Sequence, residues 1–405
     1  ETIDYTYDAL NRLESVTNSE GTSSYGYDAV GNRSSLSYPN GASQTWGYDS
    51  RNRLTTTSIY NASGALIQSF DYTLHPTGRR TRITELDGRT SDYTYNSLYW
   101  LTGETISDAV NGNYTASYLY DTVGNRTQGT EAGITTQYSY DDNDRITQQG
   151  GVTYSYDANG NMLEENDQGI ITAYGYNSQN QMVQNTGSGL TTNYQYNTDG
   201  IRHAQSDSIA TTHYLVDANR SYAQVLAESV NGSLDVAYHY GDDLISQSRS
   251  GGVSYFHVDG LDSTRVLTDS SGSQTDGYAY AAFGEVLVQD GVTDNSYLYT
   301  GEQYDSNLDQ YYLRARYYDQ GVGRFTQMDI WMGNNADPVT LNKYLYGNSD
   351  PVDFTDPTGL FGFGFGGIGA ATSIRGNLAT IGVSGASRLA INRVIRATIK
   401  WGRTV

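Results

Sequence analysis

Tyr25-Gly26-Tyr27-Asp28-Ala29-Val30-Gly31-Asn32-Arg33 is one copy of a phrase that recurs through the first half of the chain. Alternate residues of a strand share a face, so Tyr-x-Tyr sets two aromatic rings side by side. Asp28 then ends the strand. Asp and Asn bond their own backbone and Gly supplies a positive φ, so residues 28–32 read as a tight turn. A Thr- or Ser-rich strand goes with such turns, as in Ile134-Thr135-Thr136-Gln137-Tyr138. Each unit is therefore a β-hairpin. A run of them forms a ribbon with a tyrosine ladder on one face, worth up to about 1 kcal/mol per cross-strand pair.

Further copies are Tyr5-Thr6-Tyr7-Asp8 before Asn11-Arg12, Trp46-Gly47-Tyr48-Asp49 before Asn52-Arg53, and Tyr118-Leu119-Tyr120-Asp121 before Asn125-Arg126. Shorter ones begin at Tyr138, Tyr154, Tyr174 and Tyr194. Self-similarity at about 20 residues is the mark of an array whose units bury their faces only against one another. Composition agrees: 38 Tyr and 45 Gly, but only 5 Pro and no Cys, in 405 residues. The fold class is all-β, with many short strands.

A net charge of −21 excludes nucleic acid as a ligand of most of the chain. The charge is uneven. After Asp356 there is no acid, but there are Arg375, Arg388, Arg393, Arg396, Lys400 and Arg403, which leaves −27 on the rest. A basic tail and an acidic body attract each other. Five scattered histidines (75, 203, 213, 239 and 257) have no ligand spacing, so we expect no metal and no cofactor. Residue 1 falls inside a repeat, without the basic and apolar regions of a signal peptide, and we read it as internal to a longer protein.

The repeated phrase resembles the YD repeat of Rhs, teneurin and Tc-toxin C-component proteins, over roughly residues 1–250. The resemblance continues downstream. Residues 255–269 look like the family's YYHxDHLGSxRxLTD block, with Gly260 and Asp262 where His and Gly are usual. Tyr311-Tyr312-Leu313-Arg314-Ala315-Arg316-Tyr317-Tyr318-Asp319 with Gly323-Arg324-Phe325 resembles YYxRARYYDPxxGRF of the Rhs-associated core, Gln320 replacing the Pro. The resemblance implies a β-hairpin spiral closed into a hollow shell. It divides the chain into a YD-repeat shell (1–252), a core domain with a plug and an autoprotease seam (253–360), and the start of a variable tail (361–405).

In relatives the chain cuts itself after a closing Asp-Pro-x-Gly-Leu, here Asp356-Pro357-Thr358-Gly359-Leu360. The resemblance thus implies an aspartic-type cut between Leu360 and Phe361. Two close carboxyls share one proton, so one can take a proton from water while the other polarises the carbonyl. Asp356 matches the second catalytic position. For the first, Asp329 fits the spacing from Arg324 but is followed by Ile330 instead of Pro; Asp337-Pro338 is the alternative. Arg324 is expected to pair with a carboxylate. Asp-Pro and Asp-x-Gly are also ordinary turn formers.

Phe361 to Gly367 alternates Phe and Gly and reads as a linker. Residues 387–403 have a basic amphipathic helical pattern, suited to an anionic membrane or to packing on the shell wall. The leading expectation is an exported bacterial toxin shell. It would hold its own cleaved C-terminal segment and act with a secretion-system or toxin-complex component and an immunity protein. The alternatives are cell-surface adhesion and a carbohydrate-binding array, neither of which involves proteolysis.

Overall fold

The computed structural model describes residues 2–360 and 362–364 of the chain. Among them, 28 strands from Asp4–Tyr7 to Val286–Asp290 make one antiparallel sheet. Each strand pairs with its neighbours in sequence, as Gly21–Tyr27 does with Leu13–Asn18 and Arg33–Ser37. The sheet passes residue 252 without a break, since Gly252–Val258 pairs with both Leu244–Arg249 and Thr264–Thr268. No helix among the described residues is long and apolar enough to cross a membrane.

The repeated phrase has a definite local chemistry. Asp28 Oδ1 accepts from the amides of Val30 and Asn32, at 3.0 and 2.8 Å, while Oδ2 accepts from the Asn32 side chain at 2.8 Å. Where Arg replaces that Asn, as at Arg53, its Nε donates to the Asp49 carboxylate at 2.7 Å instead. The turn is completed by a left-handed residue, Gly31 (φ 99°) in one copy and Asn52 (φ 59°) in another. The ladder is bulged at the second tyrosine, between Gly26 and Tyr27 or Ser139 and Tyr140. That tyrosine's hydroxyl donates to a backbone carbonyl one hairpin back: Tyr27 to Leu13, Tyr48 to Arg33, Tyr140 to Arg126 and Tyr196 to Met182, all at 2.8–2.9 Å. The motif therefore closes a turn and also ties each hairpin to the one before it.

Long-range bonds show the winding. The Tyr5 hydroxyl donates to the Tyr240 carbonyl, 235 residues away; Tyr38 reaches Phe256, 218 away; and Glu104 accepts from the Ala282 amide, 178 away. One turn of the spiral thus lies on the next, and the turn shortens along the chain. Residues 13–72 share a core with Ile245, Tyr255 and Val266.

A second, four-stranded sheet follows: Gln303–Asp305, Gln310–Leu313, Arg316–Asp319 and Arg324–Phe325. This small sheet packs on the tyrosine ladder, a plug against the wall. Tyr138, Tyr154, Tyr174 and Tyr194 are buried in one cluster with Leu308, Tyr312, Tyr317 and Val322. Arg202 pins the plug to the wall, with hydrogen bonds to Asp305 at 2.6 Å, Gln303 at 2.8 Å and the Tyr317 hydroxyl at 3.0 Å, all buried. Of the tail, only residues 362–364 are described, and Phe363–Gly364 pairs with Phe354–Thr355. The expected helix at 387–403 lies outside the described residues.

Burial of two acids sets a pH response. Glu104 and Glu302 are both pushed up to about 7, chiefly by burial. A carboxyl whose folded pKa exceeds its unfolded value binds more protons in the folded state. Its stabilising contribution is complete below the unfolded value and is lost as pH rises through the folded one. We expect urea midpoints to fall as pH rises from 5 to 8; a midpoint that climbs steadily to pH 8 would contradict the burial of these two groups.

Candidate proteolytic seam

Leu313-Arg314-Ala315-Arg316 is a hairpin corner: Leu313 pairs with Arg316, and Arg314 takes a left-handed φ of 57°. The corner grips the closing motif residue by residue. Arg314 donates to the Pro357 carbonyl at 2.5 Å, the Ala315 amide to the Thr358 carbonyl at 3.3 Å, and Arg316 Nε to the Gly359 carbonyl. Gly359 has φ 67°, and a Cβ there would fall 2.3 Å from the Leu313 carbonyl oxygen, so only glycine lets the two segments approach this closely.

The same Nη2 of Arg316 meets both aspartates, Asp329 Oδ2 at 2.9 Å and Asp356 Oδ2 at 3.4 Å. Arg316 also donates to the Lys343 carbonyl at 2.9 Å and lies 3.6 Å from the Phe325 ring centre. The other oxygens of the two acids are held by two backbone amides and one hydroxyl. Asp329 Oδ1 accepts from the Trp331 amide at 2.7 Å, and Asp356 Oδ1 from the Leu360 amide and the Thr358 hydroxyl, each at 3.1 Å. Burial raises the pKa of Asp329, with the charge of Arg316 opposing. Burial likewise lowers the pKa of Arg316. A third acid, Glu302, ion-pairs with Arg314 at 2.5 Å, and its raised pKa includes repulsion from Asp356. Leu360 lines a cavity of about 230 Å³ with Gln181, Tyr196, Met328 and Ile330.

Arg324 is not the arginine of this site. Its guanidinium bonds Asn125 at 2.9 Å and the Asp144 carbonyl at 2.7 Å, and lies 4.8 Å from the Tyr140 ring centre, tying the plug to the wall. Arg316, missed from sequence, stands between the acids instead. The signal was present in the Arg-x-Arg spacing, which puts Arg314 inside a tight turn and Arg316 on the strand that leaves it. Asp337 is exposed at the start of the short 3-10 helix Pro338–Leu341, outside the Arg316 network. Phe361, on the far side of the expected cut, lies outside the described residues. His257 is buried and neutral, pushed down to about 3, with Nε2 2.9 Å from the Thr268 hydroxyl.

The comparisons agree with this architecture. In sequence, the chain is 29% identical over 384 residues to the tRNA nuclease WapA of Bacillus subtilis, covering 88% of this chain and 16% of that protein. It is 27% identical over 400 residues to the double-stranded DNA deaminase toxin A of Burkholderia cenocepacia, covering 89% and 26%. The chain thus spans about a sixth to a quarter of these relatives. In structure, it is similar to a TcdB2-TccC3-TEV crystal structure, with a TM-score of 0.69 at 18% identity over 88% of this chain and 20% of that one. A Photorhabdus luminescens Tc holotoxin pore superposes with a TM-score of 0.61 at 17% identity, over 88% and 21%. RHS-repeat models match residues 7–43 and 27–66. The teneurin YD-shell model matches residues 77–352, more than half of the chain, and the chain belongs to that family.

Proposed function

We propose that this chain is the closing part of a toxin-encapsulating YD shell that cuts itself after Leu360 and retains the freed C-terminal segment. Its parts are a repeat shell (1–252), a core with plug and seam (253–360) and the beginning of a cargo (361–405). The observation that carries the reading is the grip of the Arg314–Arg316 corner on residues 356–359, with two aspartates on one guanidinium beside it. Asp356 holds the Leu360 peptide through its amide. Asp329, its pKa raised by burial, takes a proton from water. The water oxygen bonds to the Leu360 carbonyl carbon, the bond to the Phe361 nitrogen breaks, and the proton passes to that nitrogen. The similarity to a nuclease and a deaminase toxin supports a toxic cargo, export from a bacterium, and partners such as a toxin-complex or secretion component and an immunity protein.

The two candidates for the first acid are separable. Asp329→Asn is expected to leave purified protein as one band on a denaturing gel, and Asp337→Asn to leave it as two. Cleavage that survives Asp329→Asn and stops with Asp337→Asn would reverse the assignment.

A further inference from the structure

Arg314, which grips the Pro357 carbonyl, is itself held from outside the seam. Its guanidinium lies 4.3 Å from the ring centre of Tyr222, and its Nε donates to the Ala223 carbonyl at 2.8 Å. The Glu302 carboxylate and the Pro357 carbonyl both accept from Nη1, at 2.5 Å. Glu302 and Pro357 lie beyond the 28-stranded sheet in sequence, but Tyr222 and Ala223 belong to its wall. They end the connection 218–223 between the strands Thr211–Asp217 and Gln224–Val230. This connection departs from the repeat. Asp28 bonds Asn32 across a tight turn, whereas Asp217 pairs with Gln224, which leaves a longer loop that reaches Arg314.

The same loop also holds the first strand of the sheet. Arg220 Nη2 donates to the Tyr5 hydroxyl at 3.0 Å, Nη1 to the Gly241 carbonyl at 2.8 Å and Nε to Asp217 at 3.3 Å. Tyr5, on Asp4–Tyr7, donates in turn to the Tyr240 carbonyl. Arg220 and Tyr222 thus tie the first strand and the seam to one short loop. A guanidinium stacked on an aromatic face and bonded through Nε has its plane fixed, and with it the direction of its other donors.

Given the self-cleavage proposed above, on which this rests, we propose that Tyr222 and Ala223 are positioning residues for the cut after Leu360. They act by fixing Arg314 and so the Pro357 carbonyl. Through Arg220 the loop also sets an order: the first strand docks, the wall closes, and the cut follows. A chain cut before closure would lose its C-terminal segment, so this order serves retention.

The test uses the full chain, made by cell-free synthesis with a labelled pulse, the cut being followed through the chase on a denaturing gel. Tyr222→Ala is expected to slow it about tenfold. That is less than the roughly 100-fold cost of misplacement by about an ångström, because Glu302 and Pro357 keep their bonds to Arg314. Tyr222→Phe, which keeps the aromatic face, should restore the rate. Arg220→Met, which removes the bonds to Tyr5 and Gly241, should slow the cut as well. Each variant's unfolding curve is taken alongside, since lost stability alone does not slow the cut while the folded state dominates. If Tyr222→Ala does not fold, Tyr222→Leu takes its place with the same expected slowing, as it keeps bulk without the aromatic face. A wild-type rate in the Ala or Leu variant, no recovery with Tyr222→Phe, or an unchanged rate in Arg220→Met overturns the proposal. A wild type that cuts while the loop variants are indifferent overturns this proposal alone. A wild type that never cuts overturns the self-cleavage and this proposal together.

Discussion

Arg316→Met is expected to slow the proposed cut after Leu360 by roughly 100-fold, the scale of rate loss when reacting groups are misplaced by about an ångström. The arginine bridges Asp329 and Asp356 and bonds the Gly359 and Lys343 carbonyls, so its loss frees both the acids and the peptide. It also leaves two buried carboxyls without their cation. Breaking a buried pair from one side typically costs about 3–5 kcal/mol, so a lower denaturation midpoint should accompany the lost cut. Arg316→Lys separates the two effects. It keeps a positive charge between the acids, but a point charge cannot also span the two carbonyls. Stability should largely return while cleavage stays slow. If Arg316→Lys cuts at the wild-type rate, the positioning of the Gly359 carbonyl is not needed.

Arg202→Met is the second large effect, and it acts on the plug. Arg202 and Asp305 are both almost wholly buried, with side chains 1% and 2% exposed. The variant would strand Asp305 and leave Gln303 and the Tyr317 hydroxyl without their partner, a cost again of about 3–5 kcal/mol. Since Tyr317 belongs to the strand that begins with Arg316, a loosened plug should also slow the cut. Limited proteolysis followed by mass mapping is the readout. New cleavage sites are expected between residues 303 and 325, while the repeats at 5–120 keep their protection. Combining Arg202→Met with Asp305→Asn should recover part of the loss. A double variant as unstable as the single one would show that the buried charge is not the cause.

The repeats were legible because their chemistry is local. Tyr-x-Tyr-Asp with a later Asn or Arg sets strand, turn and cap within nine residues, and Asp28 and Asn32 bond each other across that short loop. The winding was not legible from residues alone. Nothing near Tyr38 says that its hydroxyl will meet the Phe256 carbonyl, because the partner is set by the length and twist of a whole turn. The departure at Asp262 has a local reason, since its φ of 62° lies in the left-handed region that favours glycine and that Asp tolerates. The seam was half legible. Asp356 stood out by its motif and Asp329 by spacing, but the choice between Arg316 and Arg324 depends on tertiary partners. Arg324 lies close to Asp329 in sequence, yet it reaches Asn125, 199 residues away, while Arg316 is turned to the acids by the two-residue corner.

The seam is proposed to cut its own chain at one bond. Intact-mass spectrometry of the purified full chain under denaturing conditions tests it most directly, with the Asp356→Asn variant alongside. The wild type should give two masses, one ending at Leu360 and one beginning at Phe361, that co-elute under native conditions; the variant should give one mass. A wild type that remains a single full-length species, a cut at another bond, or a variant that still ends at Leu360 would contradict the account.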